Sequence, residues 1–397
     1  MKQDFHTRRI ADIAEKVAMG PFGSNIKVET FVPAGVPIIS GAHLRGFYLE
    51  EKDFNFITEE HAQRLKNSIV YPGDIVFTHA GNVGQVAMIP YDCQYPFYMI
   101  SQRQFYLRCD KKKVLPEYLV YYFHSHEGQG KLLSNVSQVG VPSIAQPSSF
   151  LKTIEIPLPS LETQRRIVGI LDSFTKKIEV NNQINRNLEE QIQALYRFYF
   201  EGNEKGTITH GKLKDICFYV TEKTSVSELT LDNYFSTENL LADKRGATKA
   251  SGLPQTALTT KCVSGNTLVS NIRPYFKKLL FCDKAGGCST DVLCFQAKTP
   301  QLTNFLYSTL YFDAFFDYMT AGSKGTKMPR GDKAQIMEYP IPIPAPDLLA
   351  EFNQKVTPMI KLCQKCKQEN TVLSQTRDTL LPKLILDRPT HFRRQYE

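Results

Sequence analysis

The sequence predicts an α+β chain built as an internal repeat: a globular half mixing short strands and helices, a long helix, then a second such half and a second long helix. Three observations carry this. Two proline-rich strings, Ile156-Pro157-Leu158-Pro159-Ser160-Leu161 and Ile341-Pro342-Ile343-Pro344-Ala345-Pro346, each precede a long stretch poor in Pro and Gly. Both stretches, about 162–200 and 347–386, carry apolar residues at alternating steps of four and three, the pattern of a coiled-coil seam. The two seams correspond at one constant offset, from 167 to 352 through 199 to 384.

The elements follow in order. The expected organisation is a globular domain over 1–153, a helical spacer over 154–201, a linker over 202–211, a second globular domain over 212–339, a second helical spacer over 340–388 and a tail over 389–397. In the first half, Tyr71-Pro72-Gly73-Asp74-Ile75-Val76-Phe77 reads as a turn and a buried strand. Its counterpart is Val263-Ser264-Gly265-Asn266-Thr267-Leu268-Val269. The run 101–107 likewise matches 289–295. Apolar helices follow at Glu117–His124 and Leu302–Met319, and after each a small polar loop, 134–140 and 321–330. Tyr121, Tyr122, Phe123, Phe315 and Phe316 sit at helical spacing, which favours core.

The first seam is Ile167, Leu171, Phe174, Ile178, Asn181, Asn185, Leu188 and Ile192, continuing to Leu195 and Tyr199. The second is Phe352, Val356, Met359, Cys363, Cys366, Asn370, Leu373 and Leu380, with Arg377 between the last two and Leu384 beyond. Asn185 and Asn370 share a register position, and a buried Asn in a seam fixes register at a cost in stability. Each helix of about 38 residues spans roughly 57 Å at 1.5 Å per residue, the dimension of a rigid spacer. Pro382 is expected to kink or end the second.

Composition narrows the function. The 397 residues are 42% apolar and 22% charged, an ordinary globular balance of about two to three domains. The formal net charge of +8 permits a polyanionic partner without requiring one. No apolar run reaches the roughly 18 residues of a membrane span, and Met1–Phe5 lacks the apolar stretch of a signal peptide. Nine scattered cysteines, an odd number, fit a reducing cytoplasm better than a disulfide framework.

Catalytic signatures are missing. Gly322–Lys327 has the wrong spacing for a phosphate-binding loop, and no Asn/Asp-Pro-Pro-aromatic element of an amino-methyltransferase occurs. The glycines of Phe77–Gly84 read as a turn between strands. Asp347, Glu351 and Lys355 lie at helical spacing, as a solvated helix start does. Cys363-x-x-Cys366 has no second pair to complete a zinc set, and both cysteines fall on the seam as small apolar residues. The expectation is a chain that binds, with no catalytic residues, metal or cofactor of its own.

The run from Ile154 to Tyr196, whose core is Leu158-Pro159-Ser160-Leu161-Glu162-Thr163-Gln164-Arg165-Arg166-Ile167-Val168 followed by an Asn-bearing helix, resembles the conserved region of specificity (S) subunits of type I restriction–modification systems. Gly20–Lys27, Gly35–Ile39 and Pro72–Ile75 are similar to the first target-recognition domain of that family, and Ser270–Tyr275 to a segment of the second. The second helical region departs, with Asp347–Phe352 in place of the Glu-x-Gln-x-Arg-Ile pattern. The resemblance implies two target-recognition domains, each reading one half of a bipartite double-stranded DNA target. It implies an antiparallel coiled coil that sets the gap between half-sites and docks two methyltransferase subunits. Those partners would bind S-adenosylmethionine, and ATP and Mg would belong to restriction subunits. The location implied is the prokaryotic cytoplasm, with no membrane contact.

Loops held by strands and helices carry recognition. In the first half the DNA-binding candidates are Ser24, Asn25, Lys27, Arg45, His79, Asn82, Gln85, Gln102, Arg103, Gln104, Ser137 and Gln138. In the second they are Lys244, Arg245, Lys249, Arg273, Tyr275, Lys277, Lys278, Ser323, Lys324, Lys327 and Arg330. Arg and Gln can address base edges in pairs of hydrogen bonds, while Lys neutralises phosphate. Against this, a surface Lys or Arg is ordinarily just solvated. Lys111-Lys112-Lys113 fits a loop, and Arg165-Arg166 a helix start. Two other readings stay open at this stage. A coiled-coil scaffold with protein-binding ends would show no salt-dependent DNA affinity. An enzyme of unrecognised type would turn over a substrate alone.

Overall fold

The computed structural model describes residues 5–23, 25–137, 140–201 and 209–386. Of the sequence expectations, Ser24, Gln138, most of the linker and the tail lie outside the described residues. The chain divides into two compact units, Met1–Glu179 with Glu369–Glu397, and Val180–Gln368. Each unit therefore holds one globular half together with part of both long helices.

In the first unit, strand His6–Arg9 pairs antiparallel with Glu155–Leu158, so the proline string closes the globular half before the helix begins. One sheet has the order Ala14–Met19, Gln104–Cys109, Ile75–Thr78, Val86–Met88, all antiparallel. A second has Asn55–Ile57, Val36–Ile39, Tyr98–Ile100 and Ile69–Val70, the middle two parallel. The turn before Ile75–Thr78 needs Gly73 at φ 91°, and the Asp74 carboxylate accepts from the Tyr71 N–H at 2.9 Å. Every residue of that strand is buried, as its unbroken apolar run predicts. The helices Pro116–His124 and His126–Leu133 cover the first sheet, with the break at Ser125, whose hydroxyl caps the second helix by accepting from Gly128 at 3.1 Å.

The second unit repeats this plan with little shared sequence. Its first sheet runs Cys217–Tyr219, Val292–Ala297, Thr267–Ser270, Leu279–Phe281. Gly265 stands at φ 91°, and Asn266 accepts from the Val263 N–H at 2.8 Å, repeating the turn of the first unit. The expected helix Leu302–Met319 is two helices, Thr303–Tyr311 and Asp313–Ala321, broken at Phe312 just as the first pair breaks at Ser125. The second sheets share three strands but differ at one edge. Asn55–Ile57 flanks the parallel strand in the first unit, whereas Lys223–Ser225 flanks the antiparallel strand Leu258–Cys262 in the second. Tyr121, Tyr122, Phe123, Phe315 and Phe316 are all buried core. Thr209–Lys212, whose first three residues the sequence placed in the linker, is a strand paired with Pro340–Ile343.

The long helices are Leu161–Phe200 and Pro346–Leu386, of 40 and 41 residues. Their antiparallel sense is visible inside each unit. Ile167 and Leu171 share a core with Leu381 and Ile385, while Ile192 and Tyr196 share one with Phe352, Val356 and Ile360. Lys177 pairs with Glu369 at 3.5 Å, and Glu189 with Lys367 at 3.2 Å. Of the expected seam, Ile167, Leu171, Asn181, Asn185, Ile192, Phe352, Val356, Cys363 and Cys366 are buried. Phe174, Ile178, Leu188, Met359, Asn370 and Leu373 are half-buried. In the second helix, Ile360 and Leu381 are more deeply buried than their expected neighbours Met359 and Leu380, which are half-buried, while Cys363 and Cys366 between them keep the expected positions. Pro382 also does not end the helix, which continues to Leu386. Buried Leu381 and Ile385 on either side hold the turn against the lost hydrogen bond.

Candidate nucleic-acid interface

In each unit, two loops meet at one end of the first sheet. Strand Ile75–Thr78 runs into the turn at His79–Gly84, and a short hairpin, Val136–Ser137 with Ser143–Ile144, docks on it. Three backbone links make the dock: Ile144 N–H to His79 carbonyl at 2.9 Å, an Ala80–Ser143 bridge, and Gly81 N–H to Pro142 carbonyl at 3.1 Å. The second unit makes the same three links. Gly331 N–H meets Asn271 carbonyl at 3.2 Å, Ile272 bridges Arg330, and Arg273 N–H meets Pro329 carbonyl at 2.8 Å. The hairpin pairing itself repeats, Ser137 with Ser143 and Lys324 with Arg330.

Polar side chains beneath the first cluster hold it in place. Gln104 is 1% exposed; its amide donates to Thr78 Oγ1 at 3.3 Å and its carbonyl oxygen accepts from the Ser101 hydroxyl. Gln85 accepts from Thr78 at 3.2 Å and donates to the Gly41 carbonyl at 2.9 Å. Both were expected to reach DNA; the structure uses them as internal struts, because a buried amide must find partners inside. His79 is half-buried, and its Nε2 donates to the Gln102 carbonyl at 3.1 Å, which steadies the 101–103 turn. That turn leaves the Gln102 and Arg103 side chains exposed. A methyl group on Gly23 would overlap the Gln102 amide, and one on Gly81 would lie 3.4 Å from an Arg103 guanidinium nitrogen. Asn25, Lys27, Asn82 and Ser137 are exposed, the Asn25 carbonyl accepting from His61 at 2.8 Å. Arg45 is exposed but lines a separate hollow with Gln85, His124 and Gln129. Burial holds the His124 pKa low, so its neutral ring donates to the Val86 carbonyl at 2.8 Å.

In the second unit the cations sort into tied and untied. Lys244 and Lys277 both clamp Asp313, at 2.5 and 2.7 Å, which lowers the Asp313 pKa. Lys244 also lies over the Tyr311 ring at 4.5 Å. Lys278 donates to the Thr237 carbonyl at 2.5 Å, and burial lowers its pKa. These three lysines, expected on the DNA face, brace the loops instead, since a half-buried ammonium without a fixed partner is costly. Asp243, Lys244, Arg273 and Lys277 all adopt left-handed backbone, with φ between 49° and 58°. Such strain concentrates where surrounding structure over-determines a loop. Lys249, Lys324 and Arg330 form ion pairs with Asp232, Asp332 and Asp291 at 3.5, 2.8 and 3.1 Å. Exposed pairs of this kind contribute little and exchange readily for phosphate. Ser323 is half-buried and bonds the Thr320 carbonyl at 2.7 Å. Arg245 and Lys327 are exposed with no carboxylate partner among the described residues. Tyr275 is 48% exposed beside Arg273, whose guanidinium donates to the Lys327 carbonyl at 3.4 Å.

Sequence reasoning missed the docked hairpins and the exposed residues Val141 and Met328 on them. The signal was available: Pro142 and Pro329 stand at the same spacing as the two helix breaks, Ser125 and Phe312. Sequence also left the role of Gln164 unread. Its carbonyl oxygen accepts from the Leu115 N–H at 2.8 Å and its amide donates to the Pro159 and Lys113 carbonyls at 2.9 and 3.3 Å. Where the second copy departs from the pattern, Leu349 takes that position and Asn353, one turn on, donates to the Gln301 carbonyl at 2.8 Å.

Among the described residues no group of His, Cys, Asp or Glu is placed to hold a metal, and no helix is long and apolar enough to cross a membrane.

Residues 2–190 match the family model described as type I restriction modification DNA specificity domain. The putative type I restriction enzyme MjaX specificity subunit of Methanocaldococcus jannaschii is 24% identical over 59% of this chain and 53% of its own length. The MjaIX specificity subunit of the same organism is 23% identical over 96% of this chain and 93% of its own length. The crystal structure of a type I restriction–modification S subunit from M. genitalium has the same fold, with a TM-score of 0.57 at 15% identity over 98% of both chains.

Proposed function

The chain belongs to the specificity subunits of type I restriction–modification systems, and on that premise we propose that it recognises a bipartite DNA sequence, one half-site for each globular half, as a non-catalytic subunit. One observation carries the bipartite reading: the same turn-and-hairpin dock is built in both units from different side chains. Repeated architecture with divergent surfaces is what two half-sites of different sequence require. Arg103 and Gln102 in one unit, and Lys327, Arg245 and the exchangeable pairs of Lys324 and Arg330 in the other, offer cations and amides to phosphates and base edges.

In the same proposal the two long helices, each about 60 Å at 1.5 Å per residue, set the gap and dock two methyltransferase subunits. S-adenosylmethionine would bind to those partners, and ATP and Mg to restriction subunits that complete the nuclease. Nine cysteines, all free thiols, support a reducing cytoplasm as the location. The test is co-expression with the neighbouring methyltransferase in a methylation-free host, followed by modification-sensitive sequencing of the genome. The expected result is adenine methylation in a split motif of fixed gap that depends on this chain. A stable complex that methylates nothing new would overturn the proposal.

A further inference from the structure

We propose that Val141 and Met328 are paired specificity-determining residues, each making an apolar contact with a thymine 5-methyl group in its own half-site. The inference rests on the DNA-recognition reading above and adds a chemical group to it.

The two residues are equivalent by structure. Each lies on the docked hairpin directly before the proline whose carbonyl accepts the docking hydrogen bond, Pro142 from Gly81 and Pro329 from Arg273. Proline biases the preceding residue to extended backbone, so both positions are set alike. Val141 is 62% exposed and Met328 is 49% exposed. A single exposed apolar residue needs no explanation. Two at one structural position, on hairpins that otherwise share little sequence, do. The hairpin around Met328 is otherwise polar and basic, with Lys324, Lys327 and Arg330 exposed. In the first unit, a methyl group on Gly81, whose N–H bonds the Pro142 carbonyl, would lie 3.4 Å from a guanidinium nitrogen of the exposed Arg103. In each unit the hairpin or the turn it docks on thus carries an exposed cation suited to phosphate.

The partner follows from what duplex DNA displays. Base edges in the grooves are mostly donors and acceptors, and the one methyl group that the unmodified bases present is the thymine 5-methyl in the major groove. A valine is too short to wedge between stacked bases, so contact with a methyl group is the use both residues share.

Deoxyuridine differs from thymine by that methyl group alone, which supplies the test. The probe is a duplex carrying the motif found by methylation mapping, with each thymine replaced in turn by deoxyuridine. Binding is measured with the full chain in complex with its methyltransferase. One replacement in each half-site is expected to weaken binding by about four-fold, the value of one buried methylene-sized group. The loss at one half-site should vanish in Met328→Ala, and at the other in Val141→Ala. Met328→Leu should keep it. No deoxyuridine penalty at any thymine of either half-site, or a penalty unchanged in both alanine variants, overturns the inference while leaving DNA recognition intact. Failure of the unsubstituted duplex to bind in preference to a scrambled one would instead refute the DNA-recognition reading.

Discussion

Gln164 ties the first long helix to the globular half it follows, and replacing it with Leu tests how much that tie contributes. The side chain is fully buried and makes three hydrogen bonds to backbone, one from Leu115 and two to Pro159 and Lys113. Gln164→Leu keeps the volume and removes all three. The Leu115 N–H then stays buried without its acceptor, at a cost of about 1–3 kcal/mol. The two carbonyls lose weaker shares, and the added apolar surface offsets part of the loss. The net expectation is destabilisation of the first unit by about 2–3 kcal/mol. Leu349 holds the matching place in the second unit, and its tie to the Gln301 carbonyl runs through the more exposed Asn353. Asn353→Ala should therefore cost about 1 kcal/mol or less. Urea unfolding of the full chain, followed by a probe in each unit, separates the two effects. Two transitions are the expectation for two compact units, and only the first should shift in Gln164→Leu. A shift below about 0.5 kcal/mol would refute the claim that these bonds hold the helix on the domain.

Three further outcomes follow from the same geometry. Lys327→Ala, which removes an untied cation, should lower the slope of log affinity against log salt by about 0.9 in a DNA titration of the complex, whereas Lys277→Ala, tied to Asp313, should leave the slope unchanged. Leu381→Ala should destabilise the first unit by about 2–5 kcal/mol in denaturant unfolding, and Leu380→Ala, half-buried, by under about 1 kcal/mol; the reverse order would restore the strict heptad. Burial lowers the pKa of both His43 and His124, so each binds a proton more readily once unfolded. Stability is then full above about pH 6.5 and falls as the pH drops below it. His124→Gln, which keeps a donor for the Val86 carbonyl, should flatten that fall in unfolding measured from pH 7.5 to 5.5.

The candidate interface divides along a physical line. Surface cations such as Arg103 and Lys327 were legible because loops between strong strands are exposed. Gln85, Gln104, Lys244, Lys277 and Lys278 are bonded within the fold, and composition cannot tell a side chain that faces solvent from one tied to a neighbouring hydroxyl, carbonyl or carboxylate. That distinction depends on which loops meet, and loops meet through long-range contacts.

The sequence by itself determined the repeat, the two long helices to within a residue or so at their ends, the buried strands at 75–78 and 267–270 and the aromatic cores. Those features are periodic and local, and their signal is written within a few turns of chain. Tertiary structure decided the rest. It set Ile360 and Leu381 deeper than the expected Met359 and Leu380, because which neighbouring position is buried depends on what the helix packs against. It carried the helix through Pro382 by packing the flanking Leu381 and Ile385. It brought the hairpins at 136–144 and 324–330 against turns some sixty residues earlier, joining Gly81 to Pro142 and Arg273 to Pro329. Backbone hydrogen bonds between distant segments leave no periodic mark in sequence, and in this chain they build the surface on which recognition rests.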